Sequence, residues 1–274
     1  MKTLKTVTII LFILAVLLFT GVSGYYSFIL DRVSPVISVP EGILDVRVND
    51  GTEALLAGVT ASDNRDGSLT DQIMIQGVSR LLSANTARVT YVVFDGAKNM
   101  GTATRTIRYT DYQRPIISLT QPPVFKPYPE GDSITELLDA VSARDVRDGD
   151  ISDQIQIAAQ NVNDSVAGTY RIHLQVTNSM GDTESIPLTI TVSENGSADL
   201  GITLREYITY ISQGESFDPY AFVSTVGGTR YTSSNRDLAV ESDVDTAVPG
   251  YYQVSYRCIQ DGHDHTAYLT VVVR

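Results

Sequence analysis

An eleven-residue phrase occurs twice in this chain, Asp-Asn-Arg-Asp-Gly-Ser-Leu-Thr-Asp-Gln-Ile at residues 63–73 and Asp-Val-Arg-Asp-Gly-Asp-Ile-Ser-Asp-Gln-Ile at residues 145–155. Seven positions are identical, and Leu69 against Ile151 and Thr70 against Ser152 are chemical siblings. The copies begin at residues 63 and 145, 82 residues apart. That period is too long for a solenoid unit and suits a small domain copied in tandem. A second signature marks another unit. Residues 162–168 lead into Tyr170 and residues 244–250 into Tyr252 at the same spacing, with a worn version at residues 85–95. The repeat thus predicts three units with boundaries near 34, 113 and 197: residues 34–112, 113–194 and a divergent 198–274.

Within a unit the apolar period is two. Tyr170, Ile172, Leu174 and Val176 alternate with Arg171, His173, Gln175 and Thr177, as in a half-buried strand, and Tyr252, Val254, Tyr256 and Cys258 repeat the pattern. Short runs of this kind, punctuated by Asp-Gly, Asn-Gly and Pro-Gly signals, predict an all-β chain of three tandem Ig-like β-sandwich domains. Helix is expected only in short pieces near residues 53–56 and 133–140. Domains of about 80 residues bury little of their surface and suit display or spacing better than an enclosed pocket.

Ahead of the repeats, Lys2 and Lys5 precede an almost uncharged stretch at residues 7–30, long enough to cross a hydrocarbon core of about 30 Å. It reads as a transmembrane signal anchor, because apolar residues continue through Tyr25, Tyr26, Phe28, Ile29 and Leu30. The competing reading is a signal peptide cleaved near residues 22–24. Two lysines before the span predict a cytoplasmic segment at residues 1–6 and extracellular domains, with the membrane held through residues 7–30. A single cysteine excludes an intrachain disulfide, and Cys258 sits on the apolar register of its strand, so a buried thiol is expected. A net charge of −12 argues against nucleic acid as a partner.

The phrase Asp-x-x-Asp-Gly-[Ser/Asp]-[Leu/Ile]-[Thr/Ser], followed by Val-x-x-x-x-x-Gly-x-Tyr-x-[Ile/Val], resembles bacterial Ig-like domains of the Cry22Aa pesticidal crystal protein type. Residues 214–221, Gly-Glu-Ser-Phe-Asp-Pro-Tyr-Ala, are similar to that family's Gly-x-x-[Phe/Tyr]-x-Asp-Pro stretch, whereas residues 227–230 replace the acidic loop in the third unit. The resemblance covers nearly everything after residue 34. It implies an Ig-like sandwich that recurs on bacterial surface proteins and beside secreted enzymes, usually as an accessory module, and it does not point to any particular ligand.

Three constellations offer chemistry. Asp63, Asp66 and Asp71, with Asp145, Asp148 and Asp153, supply the hard oxygens Ca²⁺ prefers, although the EF-hand order is not met and Asx turns account for the same residues. The turn at residues 261–265, Asp-Gly-His-Asp-His, offers two imidazoles for Zn²⁺, or is simply a polar hairpin tip. Tyrosines crowd the third unit, and among them Tyr207, Tyr210 and Tyr231 are the candidates for a binding face toward a carbohydrate, cell-wall component or protein. Enzyme signatures are missing: there is no Gly-x-Ser-x-Gly, no His-Glu-x-x-His and no Walker loop. The expected function is therefore a non-enzymatic, membrane-anchored bacterial surface protein with an adhesion or binding module. The alternative is a spacer or extracytoplasmic subunit of a membrane assembly. The small, polar linker at residues 194–198 predicts a third domain more mobile than the first two.

Overall fold

The computed structural model describes residues 2–29, 31–83, 85–130, 133–160, 162–163, 165–196, 200–232, 238–260 and 262–274. The chain divides into two compact units, Met1–Tyr112 and Gln113–Arg274. The first begins with helix α1 (Lys2–Ile29), of which Leu4–Tyr26 is long and apolar enough to cross a membrane and has none of its surface buried by the protein. Leu11 and Phe12 are 62% and 69% exposed, which in water would be a costly unpartnered surface.

The rest of the first unit is a seven-stranded sandwich. Its strands are β1 (Val36–Ser38), β2 (Leu44–Val46), β3 (Thr60–Asp63), β4 (Gly67–Ser68), β5 (Met74–Val78), β6 (Thr86–Phe94) and β7 (Met100–Tyr109). One sheet runs β1-β3-β4 and the other β2-β7-β6-β5, with β2 parallel to β7. The four-residue helix α2 (Thr52–Leu55) lies between β2 and β3. On β6, Ala87, Val89, Tyr91 and Val93 are all fully buried, as the two-residue period requires.

The second unit repeats this plan twice. Its first sandwich has β8 (Ile116–Leu119), β9 (Val124–Phe125), β10 (Val141–Asp145), β11 (Gly149–Asp150), β12 (Gln156–Gln160), β13 (Gly168–Thr177) and β14 (Thr183–Val192), with helix α3 (Ser133–Ala140) before β10. Its other sandwich has β15 (Ile202–Leu204), β16 (Ile208–Ile211), β17 (Val223–Val226), β18 (Thr229–Arg230), β19 (Leu238–Ser242), β20 (Gly250–Gln260) and β21 (His263–Val273). The sheets are β8-β10-β11 with β9-β14-β13-β12, and β15-β17-β18 with β16-β21-β20-β19, so the strand order is the same in all three sandwiches.

The repeated phrase is a device for closing one end of a sandwich. Gly67 and Gly149 have φ of 73° and 74°, a left-handed conformation that glycine adopts without a Cβ penalty. Asp63 Oδ1 accepts from the backbone N–H groups of Arg65 and Asp66, and Asp145 Oδ1 from those of Arg147 and Asp148, each closing an Asx turn. Leu69 and Ile151, with Ile73 and Ile155, are buried. The Thr70 and Ser152 hydroxyls accept from the N–H groups of Ala61 and Ala143 at 3.1 and 2.9 Å, which explains why a hydroxyl is kept at this position. The second signature has a similar cause: the Tyr170 and Tyr252 hydroxyls donate to the Val166 and Val248 carbonyls, four residues upstream.

A mobile third domain is not what the second unit contains. Its two sandwiches share one core and pack through β14 and β21. Tyr207 N–H donates to the Leu119 carbonyl at 2.7 Å, Thr270 Oγ1 to the Pro187 carbonyl at 3.0 Å and Gln253 Nε2 to Thr189 Oγ1 at 2.8 Å. Beside these, Glu184 is 1% exposed and lies 3.1 Å from Arg274 and 3.6 Å from Arg114. Linker composition predicts only the entropy of the connection, and the faces it joins decide whether the domains dock.

Candidate functional site

The acidic residues singled out in the sequence do not converge on one another. Asp66 accepts from the Gly96 N–H and Asp148 from the Ser179 N–H and hydroxyl, each carboxylate locking its turn to the facing hairpin. Asp71 and Asp153 sit exposed in the short 3₁₀ turns Thr70–Gln72 and Ser152–Gln154. Asp145, 3% exposed, receives a hydrogen bond on Oδ2 from Asn178 Nδ2 at 2.9 Å. Asp63 is different: its Oδ2 is buried without a hydrogen-bond partner, and it converges with Asp31 and Asp95, one carboxylate oxygen from each lying within 4.8 Å of the others. The N–H groups of Asp66 and Arg65 hold the Asp63 carboxyl below the usual range, so it carries charge at neutral pH. Asp31 and Asp95 carry no motif, and only the fold brings them to Asp63.

Of the tyrosines, two belong to the interior. Tyr207 is 2% exposed, its hydroxyl oxygen accepts from Leu204 N–H at 3.1 Å, and burial raises its pKa. Tyr210 packs between the two sandwiches, its hydroxyl accepting from Ile117 N–H at 2.8 Å and donating to Ile117 O at 3.2 Å, with the Arg274 guanidinium 4.4 Å from its ring centroid. Burial pushes its pKa up to about 12. Both therefore serve packing rather than a surface platform. Tyr231 is half-buried and stacks on Tyr220, ring centroids 6.3 Å apart, with Tyr220 43% exposed. At the histidine turn, Asp264 is taken up by Arg257 at 2.7 Å, and Asp261 lies outside the described residues. Cys258 is buried, 3% exposed.

An open surface site lies on the outer face of β19, β20 and β21. Glu241, Ser255 and Tyr268 occupy one cross-strand row, Glu241 opposite Ser255 and Ser255 opposite Tyr268. With Ser242, Asp243 and Gln253 they line a shallow groove of about 420 Å³. The Gln253 N–H donates to Asp243 Oδ1 at 2.7 Å, fixing that carboxylate, while the Gln253 side chain is held by Thr189. The groove thus offers one phenol ring, two carboxylates and two serine hydroxyls on a hydrogen-bonded sheet. Alternation along β20 marks Gln253 and Ser255 as outward-facing in the sequence, but nothing in the sequence places Glu241 and Tyr268 beside them.

Fold and groove together define an all-β chain of tandem Ig-like sandwiches behind an apolar helix, with an open polar face on its last sandwich. No protein-family model matches the chain. The pesticidal crystal protein Cry22Aa of Bacillus thuringiensis is 34% identical over 119 residues, 42% of this chain and 16% of that protein, so the chain spans less than a fifth of its relative's length. Among solved structures, one of CBM51-2 in complex with GlcNAc and INT domains of Clostridium perfringens ZmpB is 16% identical, covering 56% of this chain and 26% of that one, with a TM-score of 0.23. Drosophila N-cadherin EC1-3 is 10% identical, covering 74% and 88%, with a TM-score of 0.25.

Proposed function

We propose that this chain is a membrane-anchored bacterial surface protein whose tandem sandwiches present a carbohydrate-binding face on the third. The α1 helix holds the membrane with the two lysines on the cytoplasmic side, and the sandwiches stand outside the cell. The observation that supports binding is the groove on β19, β20 and β21. A tyrosine ring offers an apolar face to the C–H side of a pyranose, and carboxylates and hydroxyls beside it pair with the sugar's hydroxyls. The groove is shallow and open to solvent, which suits one face of an extended glycan rather than an enclosed small ligand. The test is a screen of the full chain in lipid nanodiscs against glycan and cell-wall arrays. A signal that disappears in Tyr268→Ala supports the reading, and a signal that survives this substitution contradicts it. Protease added to intact cells should remove the sandwiches and spare the helix; protection of the sandwiches would refute the orientation.

The docking of the second and third sandwiches favours one other reading, a spacer or extracytoplasmic subunit of a membrane assembly, since a spacer needs fixed geometry. Replacing α1 with an unrelated apolar span abolishes function under this reading and leaves it intact under the first.

A further inference from the structure

The internal repeat provides a control for the Asp31, Asp63 and Asp95 cluster. Asp63 and Asp145 hold the same place in the repeated phrase, and each uses Oδ1 to close its own turn. They differ in what meets Oδ2. In the second sandwich the first hairpin residue after β13 is Asn178, whose Nδ2–H donates to Asp145 Oδ2 at 2.9 Å. In the first sandwich the first hairpin residue after β6 is Asp95, 6% exposed, which has no side-chain N–H to give. Asp63 Oδ2 is left buried and without a hydrogen-bond partner. A third carboxylate then comes from Asp31, whose side chain is 8% exposed. A carboxylate with one buried, unpaired oxygen gathered beside two more carboxylates is a costly arrangement, and the sister sandwich gives the corresponding oxygen an amide partner.

We propose that Asp31, Asp63 and Asp95 form a Ca²⁺ site that fastens the segment following α1 to the two loops at one end of the first sandwich. The three carboxylate oxygens lie within 4.8 Å of one another, close enough for one cation to touch all three. Ca²⁺ accepts such oxygen ligands in flexible geometry, whereas Mg²⁺ demands a near-ideal octahedron and gives up its waters reluctantly, so carboxylates gathered from three separate segments suit the larger ion. Charge points the same way. Arg65 Nε stands 3.8 Å from Asp31 Oδ2, so three carboxylates and one guanidinium leave a double negative charge that a divalent cation neutralises. The geometry is held from outside the cluster: Asn99 donates its backbone N–H and its Nδ2–H to Asp95 and also reaches the Asp31 carbonyl, and Val33 N–H caps Asp31 Oδ1. These are supports of the kind that keep metal-ligating carboxylates in place. The ligands come from three separate segments, so occupancy links the junction below the helix to the sandwich. This inference is independent of the glycan groove, which lies in the other compact unit.

The test uses the full chain in detergent, stripped with chelator and titrated calorimetrically with Ca²⁺ or Mg²⁺, as wild type, Asp95→Asn and Asp31→Asn. Wild type should take up one more Ca²⁺ than either variant, or bind it about tenfold or more tightly, with Mg²⁺ the weaker ion. Asp95→Asn supplies the amide found in the second sandwich, so in chelator it should melt at or above wild type and lose the rise that Ca²⁺ gives wild type. Equal Ca²⁺ uptake and equal melting shifts in wild type and Asp95→Asn would overturn the proposal. So would a wild type unresponsive to Ca²⁺ whose first sandwich is stabilised by mild acid, because a shared proton would then fill the role assigned to the cation.

Discussion

Replacing Arg274 with alanine should loosen the second compact unit through a residue it leaves behind. Glu184 is 1% exposed, and its carboxylate is balanced by Arg274 at 3.1 Å and Arg114 at 3.6 Å. Arg274 also donates to the Pro115 carbonyl at 2.8 Å and covers the Tyr210 ring. Removing one partner of a buried ion pair costs about 3–5 kcal/mol, because the remaining charge is left buried. Arg114 still offsets part of that charge, so the lower end, about 3 kcal/mol, is expected. For a unit of this size that lowers its Tm by about 6–12 °C. Glu184→Gln takes away the charge while the two guanidiniums, 28% and 49% exposed, remain accessible to water. Its cost should be near 1–2 kcal/mol, and the double variant should recover about 1–2 kcal/mol relative to Arg274→Ala. Differential scanning calorimetry on the full chain in detergent reads all three. An Arg274→Ala Tm within about 3 °C of wild type, or a double variant no more stable than Arg274→Ala, would refute the reasoning.

Other consequences are open to similar measurement. Asn178→Ala should destabilise the second unit by about 2–3 kcal/mol, since Asp145 loses the donor to its buried Oδ2; an unchanged denaturation midpoint would contradict this. Tyr256→Phe removes a 2.7 Å hydrogen bond to the Pro219 carbonyl and should cost about 1 kcal/mol in the same assay. Tyr210 has a pKa raised from 10 to about 12 in the folded state, so its contribution is complete below pH 10 and fades as the pH climbs from 10 toward 12. That loss amounts to about 2–3 kcal/mol, and Tyr210→Phe should show a shallower alkaline decline. An equal decline in wild type and variant would place the alkaline sensitivity elsewhere.

The fold was largely legible because it is periodic and repeated. Alternation on β13 and β20 identified Ile172, Leu174, Val254, Tyr256 and Cys258 as interior, and all are buried. The short helices at Thr52–Leu55 and Ser133–Ala140 fall where the sequence suggests them. The docking of two sandwiches left a weaker trace. Along β14 the run from Ile186 to Ile190 is buried without alternation, and along β21 so is Leu269 to Val273, as happens when both faces of a strand are covered. Tyr207 and Tyr210 read as surface candidates because aromatic content does not reveal direction; Tyr207, just before β16, is buried in the interior, and Tyr210 on β16 faces the neighbouring sandwich. The Asp31 and Asp95 partners of Asp63 were not legible, since they lie in different segments that only the folded sandwich brings together.

The most direct test of the account is to titrate a glycan retained on the array into the full chain, comparing Tyr268→Ala with Tyr231→Ala. Tyr268 belongs to the groove and Tyr231 to the separate stack with Tyr220. Loss of an aromatic anchor should weaken binding by about 2 kcal/mol or more in Tyr268→Ala alone. Undiminished binding in Tyr268→Ala, or a loss confined to Tyr231→Ala, would contradict a sugar-binding groove on β19, β20 and β21.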